Sequence, residues 1–219
     1  MTTDNLVERL RKLDTCALSD AMDKLGLRGV ALGIGPMWQC PRIGGRVVTM
    51  RLVRATGSEH TTRHLGTTAV VSSSPGDVIV VEHKSRSDGA GWGGILANAA
   101  KIRGVSGVIV DGMARDIDES RDIGFPVYAR GGVPSTGRSR VVEESCNEPI
   151  WVGDIRVNPG DLVLCDWSGA VFLPADRAAD IIAAAEEIAA REALMTKDVL
   201  AGKPVTEVMG TNYENMLKG

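Results

Sequence analysis

The chain has 219 residues, with 25 Lys and Arg side chains against 28 Asp and Glu, for a formal net charge of −3. This near-balance argues against nucleic acid as a partner, because surfaces that bind nucleic acid are strongly basic. Hydrophobic residues make up 43% of the chain but aromatic residues only 4%. We therefore expect a folded protein with an aliphatic core, and the composition excludes disorder.

Sequence features that would direct the chain to a membrane are missing. No run of about 18 uncharged apolar residues occurs, so no transmembrane helix is expected. Residues 1–15 are charged throughout and lack the apolar segment of a signal peptide. The cysteines lie far apart with no C-x-x-C pair, which favours reduced thiols over a zinc site. The sequence thus predicts a cytoplasmic protein with no membrane partner.

Hydrophobic periodicity predicts the secondary structure in chain order. Leucines at helical spacing predict a first helix over 4–26, ending at Gly26. The pattern then predicts a strand at 46–54, a helix at 58–71, a strand at 77–82, a loop at 83–91, a helix at 92–103, a strand at 107–111, a helix at 116–123, strands at 126–128, 150–157, 162–165 and 170–173, and a long helix from Pro174. Because no linker or repeat interrupts this pattern, we predict a single mixed α/β domain over residues 1–219.

Two histidines raise the possibility of a metal site near the start of the chain. His60 and His64 are four residues apart, so a helix would place both imidazoles on one face. No third ligand is evident in the sequence, and a solvated or capping role is the alternative.

The residues with the clearest chemical potential lie between positions 88 and 124. Gly93 and Gly94 stand where a loop enters a helix, and the first N–H groups of a helix can bind a carboxylate. Arg115 and Asp116 follow a buried strand, at the edge where α/β folds place their ligands. Arg115 offers a fork for a carboxylate or carbonyl oxygen, and Asp116 is a hard oxygen ligand suited to Mg²⁺ or Mn²⁺. Gly112 is expected to let the chain bend toward them. The alternative is a surface ion pair flanked by ordinary turns.

This region resembles a known family. Residues 93–116 read G-G-I-L-A-x-x-A-K-x-R-G-V-x-G-V-I-V-D-G-x-x-R-D, which is similar to the long motif of the RraA-like family. Companion motifs follow in the family's order: ALSDAMDKLG at 17–26, PGDVIVV at 75–81, FPVYARG at 125–131, and PGDLV at 159–163 with the residues up to Pro174. The family includes class II, metal-dependent 4-hydroxy-4-methyl-2-oxoglutarate/4-carboxy-4-hydroxy-2-oxoadipate aldolases, regulators of ribonuclease activity, and proteins described as demethylmenaquinone methyltransferases.

The resemblance implies a fold and an assembly. We expect a three-layer β-β-α swivelling domain that forms homotrimers or hexamers, with active sites between subunits. It implies that Asp116 holds the divalent ion and that Arg115 binds the C2 oxygen of a pyruvate unit. Asp20 and Glu192 are expected to reach the neighbouring subunit's site, with Glu187 as the rival of Glu192. Backbone amides are expected to hold the pyruvate carboxylate, and this substrate-binding set is Gly93, Gly94, Ile95, Leu96 and Ala97.

The implied reaction is the cleavage of a carbon–carbon bond in a small 2-oxo acid. Aldol cleavage and oxaloacetate decarboxylation both pass through pyruvate enolate, which the ion and Arg115 would stabilise. One alternative is a non-catalytic regulator that binds a ribonuclease or another protein, and another is a lyase acting on a different oxo-acid or oxo-sugar.

One position departs from the family pattern. Aldolase members commonly carry an Asp where this chain has Gly94, and that acid positions the water used in proton transfer. Its absence puts aldol cleavage in question, whereas oxaloacetate decarboxylation needs no base for an alcohol. His83 or Asp88, in the preceding segment, are the candidates to replace it.

Overall fold

The computed structural model describes residues 3–56 and 64–210. The helices are α1 Thr3–Leu10, α2 Thr15–Lys24, α3 Thr67–Ser72, α4 Gly94–Ile102, α5 Ile117–Asp122, α6 Ala178–Leu200 and α7 Val205–Val208. The strands are β1 Val30–Ala31, β2 Gly35–Pro36, β3 Ile43–Arg54, β4 Val78–Trp92, β5 Gly107–Ala114, β6 Val127–Gly132, β7 Val141–Cys146, β8 Ile150–Val152, β9 Ile155–Val157, β10 Leu162–Asp166 and β11 Gly169–Leu173. This arrangement confirms the predicted mixed α/β class.

One large mixed sheet organises the domain. Its strand order is β1-β11-β10-β3-β4-β5-β6-β2, and β7 pairs separately with β3. The central strands β3, β4, β5 and β6 run parallel, whereas the pairings of β10 with β3 and with β11 are antiparallel. A separate hairpin joins β8 and β9. The carboxyl ends of the parallel strands therefore meet at one edge of the sheet, as α/β ligand sites require.

Aliphatic side chains from successive strand positions fill three layers of core. On one face of the parallel strands, Ile79, Val81 and Val108 pack under α3 and α4. On the other face, Val80 and Ile109 pack with the β8–β9 hairpin and β10. The outer face of β10 and β11 is covered by α1, α2 and α6. The side chains of a strand alternate between its two faces. Since each face of β4 and β5 is covered by one of these cores, both strands are buried on their two faces.

The N-terminal helix prediction was wrong in one respect. The segment predicted as one helix over 4–26 forms α1 and α2, separated by a turn at residues 11–14. Asp14 caps α2 by accepting a hydrogen bond from the Ala17 amide at 2.8 Å, and this satisfies one of the free N–H groups at the helix start. Gly26 has φ of +65° and ends the helical segment as predicted.

The segment predicted as a loop at 83–91 is instead strand. The strand β4 continues through it to Trp92, and it stays paired with β5 through register shifts between Val81 and Trp92. Such bulges absorb the glycine and polar residues that made the segment read as a loop. This extension carries the chain directly into α4 at the site.

Other predicted boundaries also need correction. The strand β7 was not predicted at all, and the strand predicted at 150–157 is a hairpin that turns at Gly153, where φ is +59°. The long C-terminal helix begins at Ala178 rather than at Pro174. Of the helix predicted at 58–71, the described residues begin at 64, and the helix within them is Thr67–Ser72. In the ranges 3–56 and 64–210, no helix is both long and apolar enough to cross a membrane.

Candidate functional site

A cleft of about 310 Å³ opens at the carboxyl ends of β4 and β5. It is lined by residues from the end of β4, the start of α4, the turn after β5 and the loop that precedes β7. These residues are His64, Leu65, Thr67, Ala90, Trp92, Gly93, Gly94, Ile95, Leu96, Arg115, Asp116, Thr136, Gly137 and Arg138. The cleft thus brings together Arg115, Asp116 and the glycine-rich turn, which lie more than twenty residues apart in the chain.

Asp116 is held in place by its backbone conformation and by the helix opposite. Its φ of 56° and ψ of 40° lie in the left-handed region, which Asp tolerates better than most residues. Its Oδ2 atom accepts a hydrogen bond from the Gly94 amide at 2.9 Å and lies 3.3 Å from Arg115 Nε. The Oδ1 atom has no hydrogen-bond partner among the described residues. One carboxylate oxygen therefore remains available to a ligand.

The expected surface pairing of Arg115 with Asp116 exists, but it lies in the cleft. Both side chains are a little over one-third exposed. Gly93 makes the arrangement possible, because a Cβ atom there would stand 3.0 Å from Asp116 Oδ2 and 3.2 Å from Arg115 Nε. These distances are tighter than ordinary contacts. Gly93 is therefore needed for the close approach of the ion pair.

The amide donors at the start of α4 are fewer than the sequence predicted. The Gly94 amide is already bonded to Asp116, and the Ala97 amide donates to the Gly93 carbonyl at 3.1 Å. No side chain caps α4. The amides of Ile95 and Leu96 have no acceptor in the described part of the chain. Of the predicted Gly93–Ala97 set, these two amides are the ones left open to an anion.

The space beside Gly94 is occupied by Glu119. A Cβ atom at position 94 would lie 2.0 Å from Glu119 Oε2 and 2.5 Å from its Cδ. Asn98 fixes the other oxygen, because its Nδ2 donates to Glu119 Oε1 at 2.7 Å and to the Gly94 carbonyl at 2.9 Å. The residue that supplies an acid next to position 94 is therefore Glu119, on α5, and it was missed in the sequence.

Of the two residues expected to replace that acid, one is paired with an arginine and the other is buried. Asp88 pairs with Arg86 at 2.6 and 2.8 Å. His83 is fully buried, with neither ring nitrogen bonded within the described residues, and burial together with the charge of Arg86 lowers its pKa from 6.5 to about 4. Gly112, expected to let the chain bend, lies within β5 where the pairing with β6 shifts register. A Cβ atom there would lie 2.5 Å from His83 Nδ1, so this glycine makes room for the buried ring.

Asp20 and Glu192 lie in a different part of the molecule. Asp20 lines a second cleft of about 280 Å³, between α2 and β11, which shares no lining residue with the first. Burial and the charge of Asp20 raise the pKa of Glu192, and burial and the charge of Asp23 raise that of Asp20. The rival Glu187 is exposed and lies 4.0 Å from Lys24. Glu192 is thus the companion of Asp20, but neither reaches Asp116 within one chain.

The donor atoms at Asp116 fit a divalent ion held largely by water. Within residues 3–56 and 64–210, no group of three or more His, Cys, Asp or Glu side chains could enclose a metal. Mg²⁺ commonly keeps several waters and takes only one or two carboxylates, so the free Oδ1 of Asp116 suits it. His64 lines the same cleft, with Nδ1 2.9 Å from the Leu65 carbonyl oxygen. The other proposed metal ligand, His60, lies outside the described residues.

Arg138 is a second cationic residue of the cleft that the sequence reading missed. It lies in the loop between β6 and β7, where the chain has no periodicity that would indicate a site. Its backbone amide donates to Thr136 Oγ1 at 3.1 Å, and Thr136 lines the cleft as well. The residues that line the cleft therefore include two arginines, Arg115 and Arg138.

Comparison with known proteins places the chain in a family. The model of the RraA-like family, described as Aldolase/RraA, matches residues 15–172, and this chain belongs to that family. A Halalkalibacterium halodurans protein, named provisionally as a 4-hydroxy-4-methyl-2-oxoglutarate aldolase, is 28% identical over 94% of this chain and 95% of its own. Protein DlpA from Legionella pneumophila is 27% identical over 83% of this chain, which spans only 29% of that larger protein.

Solved structures share the fold over nearly the whole chain. An uncharacterized protein from Pseudomonas syringae pv. tomato aligns with a TM-score of 0.82 at 28% identity, covering 94% of this chain and 98% of its own. Streptomyces coelicolor RraAS2 is described as an unusual member of the RNase ES inhibitor RraA protein family. It aligns with a TM-score of 0.78 at 24% identity, covering 87% of this chain and 94% of its own. The RraA-like fold expected from the sequence is thereby confirmed.

Proposed function

We propose that this protein is a divalent-metal-dependent carbon–carbon lyase acting on small 2-oxo acids. The reactions are aldol cleavage of 4-hydroxy-4-methyl-2-oxoglutarate-type substrates and decarboxylation of oxaloacetate, both through pyruvate enolate. The observation that carries the proposal is the cleft in which the Asp116 carboxylate, the Arg115 guanidinium and two free helix amides converge. The aldolase name of the Halalkalibacterium halodurans relative supports the same class of reaction.

The helix amides, the arginine and the aspartate would each contribute to this reaction. The Ile95 and Leu96 amides would bind the C1 carboxylate, at the positive end of the α4 dipole. Arg115 would donate to the C2 oxygen, where negative charge develops as the C3–C4 bond breaks. Asp116 would hold Mg²⁺ or Mn²⁺ through Oδ1, and the ion, when bound, supplies Lewis-acid polarisation of the C2 carbonyl. Protonation at C3 then yields pyruvate.

Arg138 gives the cleft a place for a second carboxylate. It lines the cleft together with Thr136 and Gly137. Arginine forms paired, charge-assisted hydrogen bonds with carboxylates. A dicarboxylic 2-oxo acid would thus have one carboxylate on the helix amides and the other on Arg138.

We also propose that the complete active site forms between subunits of a homotrimer or hexamer. The support is the separation of Asp20 and Glu192 from Asp116 within one chain. Each of the two clefts is also rimmed by an exposed aliphatic side chain, Leu32 at 77% and Ile95 at 86% exposure. Exposed apolar residues beside a cleft are typical of interaction surfaces. Contact between the two clefts of neighbouring chains would bury them and bring Asp20 toward Asp116.

A subunit-mixing experiment tests this arrangement. Asp20→Asn and Asp116→Asn chains, each inactive alone, would be refolded together. If the site is shared, about a quarter of the sites in mixed oligomers regain both wild-type residues, and activity returns to that level. Mixtures that stay inactive, although they form oligomers of wild-type size, would contradict a shared site.

The proposed activity is tested by direct assay. Purified protein is given oxaloacetate or 4-hydroxy-4-methyl-2-oxoglutarate with Mg²⁺, with Mn²⁺ or with EDTA, and pyruvate is measured. Pyruvate formation that depends on the metal and is lost in Asp116→Asn supports the proposal. Absence of pyruvate in every arm at high protein concentration would contradict it and favour the regulator alternative, in which the protein binds a ribonuclease or another protein.

A further inference from the structure

We propose that Glu119 is the proton acceptor for the substrate's C4 hydroxyl group in aldol cleavage. This inference rests on the proposed lyase function and names a residue that sequence reasoning did not select. It depends on the placement of the Glu119 carboxylate, which extends from the short helix α5 to the start of α4.

The carboxylate of Glu119 occupies the volume that any side chain at position 94 would fill. The three nearest heavy atoms to a Cβ built on Gly94 are its Oε2, Cδ and Oε1 atoms, at 2.0, 2.5 and 3.0 Å. No real Cβ atom would tolerate the shortest of these distances. The glycine at position 94 and the glutamate at position 119 are therefore sterically coupled, so the carboxylate reaches the mouth of α4 only because residue 94 has no side chain.

A hydrogen bond holds this carboxylate in one orientation. Asn98, one turn along α4, bonds Glu119 Oε1 at 2.7 Å and uses the same nitrogen to bond the Gly94 carbonyl at 2.9 Å. The Oε2 atom has no hydrogen-bond partner in the described ranges. Because the Glu119 side chain is exposed, this open oxygen is accessible to a ligand beside the start of α4.

The neighbours of Glu119 are the groups proposed to bind the substrate. Gly94, which Glu119 adjoins, also donates its backbone amide to Asp116 Oδ2 at 2.9 Å. Gly94 is thus enclosed by two carboxylates, and the free Ile95 and Leu96 amides follow it directly. Glu119 does not itself line the cleft but adjoins it through Gly94. A substrate whose C1 carboxylate rests on those amides would meet Glu119 if its C4 hydroxyl group extends past Gly94.

The proposed step transfers one proton and breaks one carbon–carbon bond. Glu119 accepts the proton of the C4 hydroxyl, directly or through one water. The O–H electron pair forms the new C4 carbonyl, the C3–C4 bond breaks, and its electron pair moves to give the C2 enolate of pyruvate. The proton then goes to C3, which completes pyruvate and restores the Glu119 carboxylate. Oxaloacetate has no C4 hydroxyl, so its decarboxylation omits the first transfer.

This difference between the two reactions provides the test. Glu119→Gln keeps the size of the side chain and its bond to Asn98, but it cannot accept a proton. We expect aldol cleavage to fall by about 100-fold or more, in line with the usual contribution of general-base catalysis, with oxaloacetate decarboxylation changed by less than about threefold. The matched control is Asp118→Asn, since Asp118 is the adjacent acid, is 85% exposed and pairs with Arg121. It should leave both reactions unchanged.

A second variant shows whether the carboxylate itself matters. With Glu119→Ala the volume beside Gly94 is free, and adding Gly94→Asp returns a carboxylate to it from α4. We expect this double variant to regain at least about tenfold in aldol cleavage over Glu119→Ala alone, a fraction of the general-base effect. A purely structural role of Glu119 would give no such rescue.

The outcomes separate this inference from the proposed function. If the wild-type protein performs both reactions and Glu119→Gln leaves both intact or reduces both equally, the role of Glu119 is overturned and the lyase function stands. If the wild-type protein performs neither reaction, the lyase function fails, and the role of Glu119 fails with it. Circular dichroism spectra and thermal unfolding would verify that each variant is folded.

Discussion

The Asp116 carboxylate accepts a hydrogen bond from the Gly94 amide, 2.9 Å away, across two elements that follow neighbouring parallel strands. This bond uses one of the amides at the start of α4 and leaves those of Ile95 and Leu96 free. The same contact therefore separates the amides that we propose for an anion from the carboxylate that we propose for a cation.

The role of Asp116 is tested by replacing it with Asn. Asparagine accepts the left-handed backbone conformation that Asp116 adopts, so the fold should be kept while the charged ligand is lost. We expect metal-dependent pyruvate formation to fall by about 100-fold or more, as on removal of a principal electrostatic group. Initial rates of pyruvate formation across a Mg²⁺ titration measure this loss of activity. Asp122→Asn, an exposed acid at the other end of α5, serves as the control and should behave as wild type.

Removal of the divalent ion should abolish activity without unfolding the protein. The described core is formed by aliphatic side chains in three packed layers, and no cluster of metal ligands contributes to it. We expect EDTA to eliminate pyruvate formation and to shift the melting temperature by less than about 2 °C, since a weakly held ion stabilises the folded state very little. A large fall in melting temperature with EDTA would show that the ion is structural.

Replacing Arg138 should change substrate preference. Arg138→Met keeps an unbranched side chain of similar reach but removes the guanidinium that we assign to a second carboxylate. We expect KM for 4-hydroxy-4-methyl-2-oxoglutarate to rise by about tenfold, because a hydrogen bond to a charged group contributes about 1.5–3 kcal/mol. Proton exchange at the methyl group of pyruvate, which has a single carboxylate, should be unchanged. An equal loss with both compounds would place Arg138 elsewhere in the mechanism.

The buried His83 predicts a specific dependence of stability on pH. Burial and the nearby Arg86 lower its pKa from 6.5 to about 4 in the folded protein. The unfolded chain therefore binds more protons between these values, so stability falls as the pH drops from about 6.5 to 4. This group alone should remove about 3 kcal/mol of unfolding free energy over that range.

Urea unfolding at a series of pH values measures this effect. The His83→Gln variant cannot titrate at this position, so its unfolding free energy should vary less steeply with pH than that of the wild type. His64→Gln, which replaces an exposed histidine, provides the control and should keep the wild-type slope. Equal slopes for wild type and His83→Gln would refute the assignment.

The central strands and the edge that carries the site could be predicted from the sequence. Largely apolar runs such as 107–111 are typical of strands that are buried on both faces, so they can be predicted from the local sequence alone. Arg115 and Asp116 follow directly from the end of such a run, so their position at the sheet edge was foreseeable. The strand at 83–91 was not, because bulges accommodate its glycines and its pairing with β5 depends on partners distant in the chain.

Features that depend on packing across elements could not be predicted. Glu119 reads as an ordinary exposed acid in a charged helix, and only the fold places its carboxylate against Gly94. The sequence also does not show that the Gly94 and Ala97 amides already have acceptors. That depends on the residue at which α4 begins and on the position of Asp116. The contact of Gly112 with His83, on the neighbouring strand, also depends on the fold.

Exchange of the pyruvate methyl protons in D₂O, followed by NMR, tests the central claim most directly, because it reports enolate formation without any second substrate. The account predicts exchange that requires Mg²⁺ or Mn²⁺ and that falls by about 100-fold in Arg115→Lys, since lysine cannot reproduce the fork of the guanidinium. Exchange no faster than in buffer, or equally fast in the wild type and in Arg115→Lys, would contradict the assignment of this cleft as a pyruvate-enolate site.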